Sequence, residues 1–156
     1  MSHYDLMNQV LIRQAIEADI LSICQLQQNW FQEDNVYGFI PDNHDQVKAV
    51  LGTYCWVAEI NGDVIGFISG SICLSEGTAV IPAGKNYIEI DNIYVSVQFR
   101  RQGIGSRLVD QLLTQAKQQS VTYALLYSAT KDIHAVLRFY EQHNFQSWYV
   151  QMFREL

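Results

Sequence analysis

The sequence predicts an α/β fold in which a central mixed, mostly antiparallel sheet is flanked by about four helices. Asn61-Gly62 joins two apolar runs, which is the strongest short signal of a β-hairpin. A strand-like run over residues 88–95 is followed by an apolar stripe at helical spacing over residues 104–119. Strand-like and helix-like segments alternate from there to the end of the sequence, without repeats or linkers. We therefore expect one domain over residues 1–156.

The first half of the chain predicts a strand, two helices and the hairpin. Apolar residues recur at helical spacing from Ile20 to Phe31, and Asp19 offers an N-cap for this helix. The segment after Phe31 breaks this spacing and indicates a loop. In order, the predicted elements are a strand over 9–13, a helix after Asp19, a loop over 33–41, a short helix capped within 42–45 and closed by Gly52, and hairpin strands over 54–60 and 63–74.

The second half predicts two strand–helix units and a final strand. Gly66 and Gly70 lie inside the second hairpin strand, where a missing side chain leaves room for a close neighbour. Asn144 can adopt the left-handed conformation that ends a helix. In order, the predicted elements are a loop over 75–85, a strand over 88–95, a helix over 104–119, a strand over 121–128, a helix begun by Thr130 or Asp132 and ended by Asn144, and a last strand over 145–153.

Composition narrows the function classes. The chain carries 16 acidic and 10 basic residues, a formal net charge of −6, so it gains no general attraction to nucleic acid or to anionic membranes. An acidic site would instead attract a cationic substrate. No apolar run is long enough to span a bilayer, and residues 1–5 contain no basic segment leading into an apolar core. Together with three unclustered cysteines, these features favour a reduced cytoplasmic protein.

The turn between strand 88–95 and helix 104–119 has the features of an anion site. The first N–H groups of a helix have no partner within the helix and lie at its positive end. Gly103 and Gly105 allow a phosphate to approach the backbone, and Arg100 and Arg101 add donors suited to phosphate. A tight turn with a surface arginine pair is the alternative. The strand, the arginines and the helix together favour phosphate binding.

Two segments carry a family resemblance. A Walker loop is absent, and the third glycine of a dinucleotide fingerprint is missing. The pattern Arg-x-x-Gly-x-Gly, filled by Arg100, Gly103 and Gly105, resembles the pyrophosphate loop of the GNAT superfamily of acyl-CoA-dependent N-acyltransferases. Residues 138–145, Arg-Phe-Tyr-Glu-Gln-His-Asn-Phe, are similar to the family's ending, with Asn144 where glycine is usual. The order of elements matches the family over nearly the whole chain.

The resemblance implies acetyl-CoA as cosubstrate and no metal. The family's strand bulges and splays from its neighbour here, which opens a slot for the extended pantetheine arm. An asparagine that often holds this arm in the family has no counterpart among residues 132–134. The residues implied to bind the cofactor are Ile93, Tyr94, Val95, Arg100, Arg101, Gln102, Gly103, Ile104, Gly105 and Ser106.

The chemistry of amine acetylation requires a base and an acid. An acceptor amine is protonated at neutral pH, so a base, direct or through water, must free its lone pair. Asp91 and Glu89 lie two apart on one strand face, and we prefer Asp91; both could instead bind a cationic substrate or face solvent. Tyr140 matches the family tyrosine that protonates the departing thiolate. The backbone N–H of Val95 is a candidate donor to the reacting carbonyl oxygen.

The acceptor wall is predicted in the loop after the first helix. The family commonly uses this region, and here Trp30, Phe31, Glu33 and Tyr37 could accommodate a small cationic amine through charge and cation–π contacts. A solvated loop with anchoring aromatic residues is the alternative. His44 lies among acidic residues, but its spacing matches no standard metal-ligand set, so helix capping is preferred.

The sequence is also compatible with other classes of function. A non-catalytic acyl-CoA sensor would keep the loop at Arg100 but would need neither Tyr140 nor the carboxylates. A peptide or protein N-acetyltransferase would share the chemistry with a larger acceptor. An enzyme that uses Cys24, Cys55 or Cys73 as acyl nucleophile is a further alternative. The predicted last strand could also pair across a homodimer.

Overall fold

The computed structural model describes residues 9–156, so predictions for residues 1–5 lie outside it. Five strands form one sheet in chain order, with antiparallel pairs from β1 to β4 and a parallel pair between β4 and β5. The predicted mixed, mostly antiparallel sheet is therefore confirmed. The elements are β1 Leu11–Gln14, α1 Ile20–Gln32, α2 His44–Val50, β2 Cys55–Ile60, β3 Asp63–Leu74, β4 Asn86–Val95, α3 Ile104–Gln118, β5 Tyr123–Leu126 and α4 Ile133–Glu141.

The sheet separates two hydrophobic cores. On one face, α3 buries its apolar stripe against the strands, with Leu108 and Leu112 fully enclosed. On the other face, α1 and α2 cover Phe67 and Tyr94. Burying each large apolar side chain stabilises the fold by about 1.5–3 kcal/mol. None of the helices in the described range is both long and apolar enough to cross a membrane.

A β-bulge interrupts β4 at Asp91. Ser69 pairs with Asn92 and Gly70 pairs with Ile90, so Asp91 has no counterpart on β3. A Cβ atom at Gly70 would lie 2.8 Å from the carbonyl oxygen of Glu89, closer than real contacts allow. The close neighbour predicted for the strand glycines is therefore the backbone of β4.

Beyond the bulge, β4 continues without β5. The parallel pairing ends at Ile90 and Leu126, whereas β4 extends to Val95. Within the described part of the chain, the side of β4 from Asp91 to Val95 that faces away from β3 has no strand partner. The bulge and the parting implied by the family resemblance are both present.

Local capping chemistry explains the starts of two of the four α-helices. Asn43 accepts a hydrogen bond from the Gln46 N–H and begins α2, and Asp132 accepts one from the Ala135 N–H and begins α4. Asn144 has φ 63°, the predicted left-handed conformation. Asp19 occupies the predicted N-cap position of α1, but its side chain makes no capping bond there. Its carboxylate instead accepts bonds from Arg13 at 2.7 and 2.8 Å.

The predicted last strand over residues 145–153 is wrong, because these residues adopt no regular structure. The outer edge of β5 has no strand partner in the described range. Trp148 and Tyr149 pack edge-to-face on each other, and Val150 and Met152 are 79% and 88% exposed. Alternation of apolar residues therefore occurs here without the cross-strand pairing that would form a strand.

Candidate active site

The site is built around the slot beside β4 and the start of α3. A 3₁₀ turn over Val97–Phe99 leads from β4 to Gly103, which precedes α3 with φ 75° and makes no side-chain cap. The first-turn N–H groups therefore remain available to an anion. A Cβ atom at Gly105 would lie 3.4 Å from the Phe139 ring of α4, an ordinary contact, so α4 packs directly against the start of α3.

Two of the predicted ligand-binding residues are partners of each other. The Arg100 guanidinium donates to both carboxylate oxygens of Glu33, at 2.7 and 2.8 Å, and its Nε donates to the Val95 carbonyl at 2.8 Å. The Tyr94 hydroxyl donates to the same Glu33 carboxylate at 2.7 Å. Each of these two charges is therefore matched by the other within the protein. Direct roles for Arg100 at the phosphate and for Glu33 at the acceptor remain predictions.

The ionisation of this cluster follows from its contacts. Burial alone would raise the pKa of Glu33, but hydrogen bonds from Arg100 and Tyr94 outweigh it and lower that pKa below 4.5. Burial and the Glu33 carboxylate raise the pKa of Tyr94 to about 12. The pair is therefore ionised at neutral pH, with a neutral tyrosine beside it.

Arg101 and Gln102 are the members of the loop with unused polar groups. Arg101 is exposed, has φ 61°, and forms no ion pair with any described residue. The Gln102 side chain donates to the Gln98 carbonyl at 3.4 Å, while its own Oε1 is buried without a hydrogen-bond partner. An orphaned acceptor, a free guanidinium and uncapped helix N–H groups suit a ligand that combines phosphate with amide donors.

The two candidate bases lie on the same face of the sheet. The Ser71 hydroxyl donates to Asp91 at 2.6 Å, and the Cys73 thiol lies 3.7 Å from the Glu89 carboxylate. Asp91 is exposed at the bulge, where β4 leaves β5. Its carboxylate keeps one oxygen that receives no hydrogen bond from a described residue. That oxygen is chemically able to accept a proton from an incoming amine.

Tyr140 provides a phenol with an uncommitted hydroxyl. Its ring packs edge-to-face on Phe139 at 5.0 Å and on Phe145 at 5.4 Å, and it packs against the core cluster that contains Ile90. The hydroxyl has no hydrogen-bond partner among the described residues. Burial raises the pKa of Tyr140 to about 12, so the group stays protonated at neutral pH.

His143 adds a link that the sequence pattern did not reveal. One ring nitrogen lies 3.0 Å from the Asp110 carboxylate and the other lies 3.2 Å from the Ser106 hydroxyl. Only 7% of this side chain is exposed. The imidazole therefore fixes the end of α4 to the first turns of α3, next to the loop. In the sequence, Ser106 and Asp110 lie one helical turn apart and so share a helix face, and this spacing was the feature that could have indicated a common partner.

The predicted acceptor wall divides into anchored and exposed residues. Trp30 stacks between Phe39 at 4.4 Å and Tyr94 at 5.6 Å, which anchors the loop after α1. Phe31 and Tyr37 are 52% and 54% exposed, and Tyr37 receives the Lys131 ammonium over its ring. Trp30 therefore acts in packing, Phe31 stays exposed, and the Tyr37 ring is partly covered by Lys131 and Phe153.

A pocket of about 520 Å³, which we call the aromatic pocket, opens on the face that carries Glu89. Leu125, one of its lining residues, is paired in register with Glu89. The sequence did not reveal this pocket, because residues from the β3–β4 connection, β5 and the chain end meet only in the fold. Its apolar lining comes mainly from Leu74, Tyr87, Leu125, Tyr127, Trp148 and Tyr149.

The cysteines are poor nucleophiles in these surroundings. Burial raises the pKa of the Cys24 thiol and raises that of Cys55 to about 12. Burial also raises the pKa of Cys73, and the Glu89 carboxylate adds to that effect. Each thiol is thus held in its less reactive protonated form. No group of three or more metal-ligating side chains comes together in the part of the chain that the structure describes.

The mixed sheet, the bulge and parting of β4, and the uncapped start of α3 are the architecture of an acetyltransferase. A model of the acetyltransferase (GNAT) family matches residues 20–145. The chain therefore belongs to the GNAT acetyltransferase family. N-acetyltransferase 8B of Rattus norvegicus is 34% identical over 98 residues, which are 61% of this chain and 42% of that protein. The chain spans under half the length of that relative.

Solved structures share the fold at low sequence identity. An aminoglycoside acetyltransferase from an uncultured soil metagenomic sample, in complex with trehalose, superposes with a TM-score of 0.70 and 17% identity, covering 96% of this chain and 97% of that one. A predicted acetyltransferase from Clostridium acetobutylicum, solved with acetyl-CoA, has a TM-score of 0.69 and 20% identity, covering 94% of this chain and 95% of that one. These similarities establish the fold alone.

Proposed function

We propose that this protein transfers an acetyl group from acetyl-CoA directly to a primary amine, a small cationic acceptor. The observation that carries the proposal is the parting of β4 from β5 at the Asp91 bulge. It leaves a stretch of unpaired backbone beside a carboxylate, and Tyr140, which packs against the core cluster that contains Ile90, offers a phenol for the acid role. The acetyl-CoA-bound structural relative supports this donor.

The loop residues would hold the donor. Acetyl-CoA supplies a thioester carbonyl, which is the group that an amine attacks. The N–H groups of Ile104, Gly105 and Ser106 would bind its pyrophosphate, with the free guanidinium of Arg101 as the matching cation. The side of β4 from Ile93 to Val95 that lacks a strand partner would pair with the pantetheine amides in the manner of an added strand, next to the Val95 carbonyl that accepts from Arg100.

Asp91 would prepare the acceptor. Its exposed carboxylate, held by the Ser71 hydroxyl at 2.6 Å, would attract the ammonium and accept its proton directly or through a water. Glu89, on the same face of β4, is the alternative base. The acidic surroundings favour a cationic acceptor, because charge attraction raises its local concentration.

Tyr140 would complete the transfer. Its phenol is protonated at neutral pH, since burial raises its pKa to about 12, and its hydroxyl has no other described partner. It would donate this proton as the thiolate departs, and the N–H of Val95 would donate to the reacting carbonyl oxygen. These roles use groups that the fold otherwise leaves uncommitted.

A paired binding and turnover experiment tests the proposal. Calorimetry measures acetyl-CoA binding, and a thiol reagent follows CoA release across a panel of amines for the native protein, Asp91→Asn and Glu89→Gln. We expect amine-dependent release that Asp91→Asn lowers about 10²-fold, the usual size of a general-base effect, with binding retained. A greater loss in Glu89→Gln would move the base to Glu89. Tight binding without release for any amine would instead support an acyl-CoA sensor.

A further inference from the structure

The aromatic pocket is lined by large apolar side chains that are exposed to solvent. Tyr127 is 62% exposed, Trp148 45%, Tyr149 53% and Leu74 65%. These side chains, with Tyr87 and Leu125, line one pocket of about 520 Å³. Contiguous exposed apolar surface on a protein marks a binding site more often than chance, and this volume lies in the range of small-molecule sites.

The pocket lies directly beside the candidate bases. Leu125 is the register partner of Glu89, and Tyr87 is the register partner of Cys73, whose thiol contacts Glu89. Asp91 follows two residues later on the same face, at the point where β5 ends its pairing. If the amine of an acceptor lies near Asp91, where β4 parts from β5, the group that carries the amine can extend into this pocket.

The charge of the pocket lining limits which chemical groups of an acceptor the pocket can hold. Glu76 is the one carboxylate among the described lining residues, and the remaining walls are mainly rings and leucines. A polycation would bring several ammonium groups into the pocket, where Glu76 can match one charge and the others would lose hydration against rings and leucines. A flat apolar group loses little hydration on entry and gains contact with the rings.

We propose that the acceptor is a monoamine carried on an aryl or similarly flat apolar body, with its ring in the aromatic pocket and its amine toward Glu89 and Asp91. This inference rests on the proposed acetyl transfer and narrows its acceptor. The step balances as follows: the base takes one proton from the ammonium, the amine nitrogen forms a bond to the acetyl carbon, and the carbon–sulfur bond breaks. The departing thiolate takes a proton from Tyr140, and the second proton lost by the nitrogen replaces it on the phenolate.

The test compares four acceptors that differ in the group that carries the amine. 2-Phenylethylamine and ethylamine carry the same ammonium with and without a ring, and spermidine and kanamycin are polycations. We expect kcat/KM for 2-phenylethylamine to exceed that of the other three by about tenfold or more. Trp148→Ala should raise KM for 2-phenylethylamine about 3–10-fold and leave ethylamine unchanged, and Trp148→Phe should restore most of the loss.

The matched control is Val150→Ala, because Val150 is 79% exposed in the same segment and does not line the pocket. It should change neither KM nor kcat. Higher kcat/KM for spermidine, kanamycin or a lysine peptide would overturn the acceptor class while leaving acetyl transfer intact. If no amine releases thiol, the proposed transfer fails, and calorimetry tests the pocket separately. Saturable binding of 2-phenylethylamine that is lost in Trp148→Ala would support the pocket as an aryl-binding site. Absence of binding to the native protein would overturn that assignment.

Discussion

Glu33 and Arg100 join the end of α1 to the loop that enters α3. The guanidinium donates to both carboxylate oxygens at 2.7 and 2.8 Å across 67 residues of sequence, and Asn35 donates to the same carboxylate at 3.2 Å. Because Trp30 donates to Asn35 at 3.1 Å, the network extends to the aromatic anchor of the acceptor loop. The two predicted halves of the site, donor loop and acceptor loop, are thus held by one ion pair.

The first prediction concerns the strength of this pair. Glu33→Gln and Arg100→Gln should each lower the free energy of unfolding by about 1–3 kcal/mol, less than a fully buried pair, because the side chains are 20% and 36% exposed. Urea unfolding of both single variants and the double variant measures their coupling. Asp34→Asn, whose carboxylate is 84% exposed, is the matched control at about 0–1 kcal/mol. Additive single losses would argue against the pair.

The second prediction is an acid dependence of the same contact. The pKa of Glu33 is lower in the folded protein than its usual 4.5, so the pair contributes stability above that pH and loses it as pH falls through the folded-state pKa. The difference in unfolding free energy between native protein and Glu33→Gln should therefore shrink from about pH 6 to about pH 3. Denaturant titrations over that range measure it, and a constant difference would contradict the prediction.

The third prediction concerns the β-bulge. Gly70→Ala places a Cβ atom 2.8 Å from the Glu89 carbonyl oxygen, so β3 and β4 must separate. We expect a loss of about 1–3 kcal/mol in unfolding free energy and weaker acetyl-CoA binding. Leu74→Ala, at a side chain 65% exposed on the same strand, should stay within about 0.5 kcal/mol. An unaffected Gly70→Ala protein would show that the close approach is not required.

The fourth prediction distinguishes the two loop arginines. Arg101 forms no ion pair with a described residue, so Arg101→Gln should weaken acetyl-CoA binding about tenfold without changing the unfolding free energy by more than about 0.5 kcal/mol. Calorimetry at two salt concentrations measures both the loss and its reduced salt dependence. Arg154→Gln, near the chain end, controls for overall charge. Equal losses in both variants would assign the effect to net charge alone.

The sequence correctly predicted the features that depend on residues close together in the chain. Asn61 and Gly62 adopt φ of 52° and 88°, as the hairpin signal requires, and Asn43 and Asp132 begin their helices. The apolar stripe of α3 is buried as predicted, with Leu108 and Leu112 at 0% exposure. Each of these features depends on residues within a few positions of one another.

The remaining features depend on partners distant in sequence. The bulge at Asp91 requires Gly70 of the neighbouring strand, and the partner of Arg100 lies 67 residues away. The pattern after Phe145 alternates, but no strand pairs with it in the described range. That residues 1–156 form one domain stays a prediction, as do the individual roles of the site residues.

The central claim is direct acetyl transfer with Tyr140 as the acid, and Tyr140→Phe tests it most directly. The substitution removes one hydroxyl that has no described partner, so the fold should be retained. Thiol release from acetyl-CoA with a saturating amine should fall about 10²-fold in kcat, while the calorimetric affinity for acetyl-CoA stays within about twofold. Tyr54→Phe, a partly buried tyrosine at the edge of the same core, is the matched control. An unchanged kcat in Tyr140→Phe would contradict the assignment.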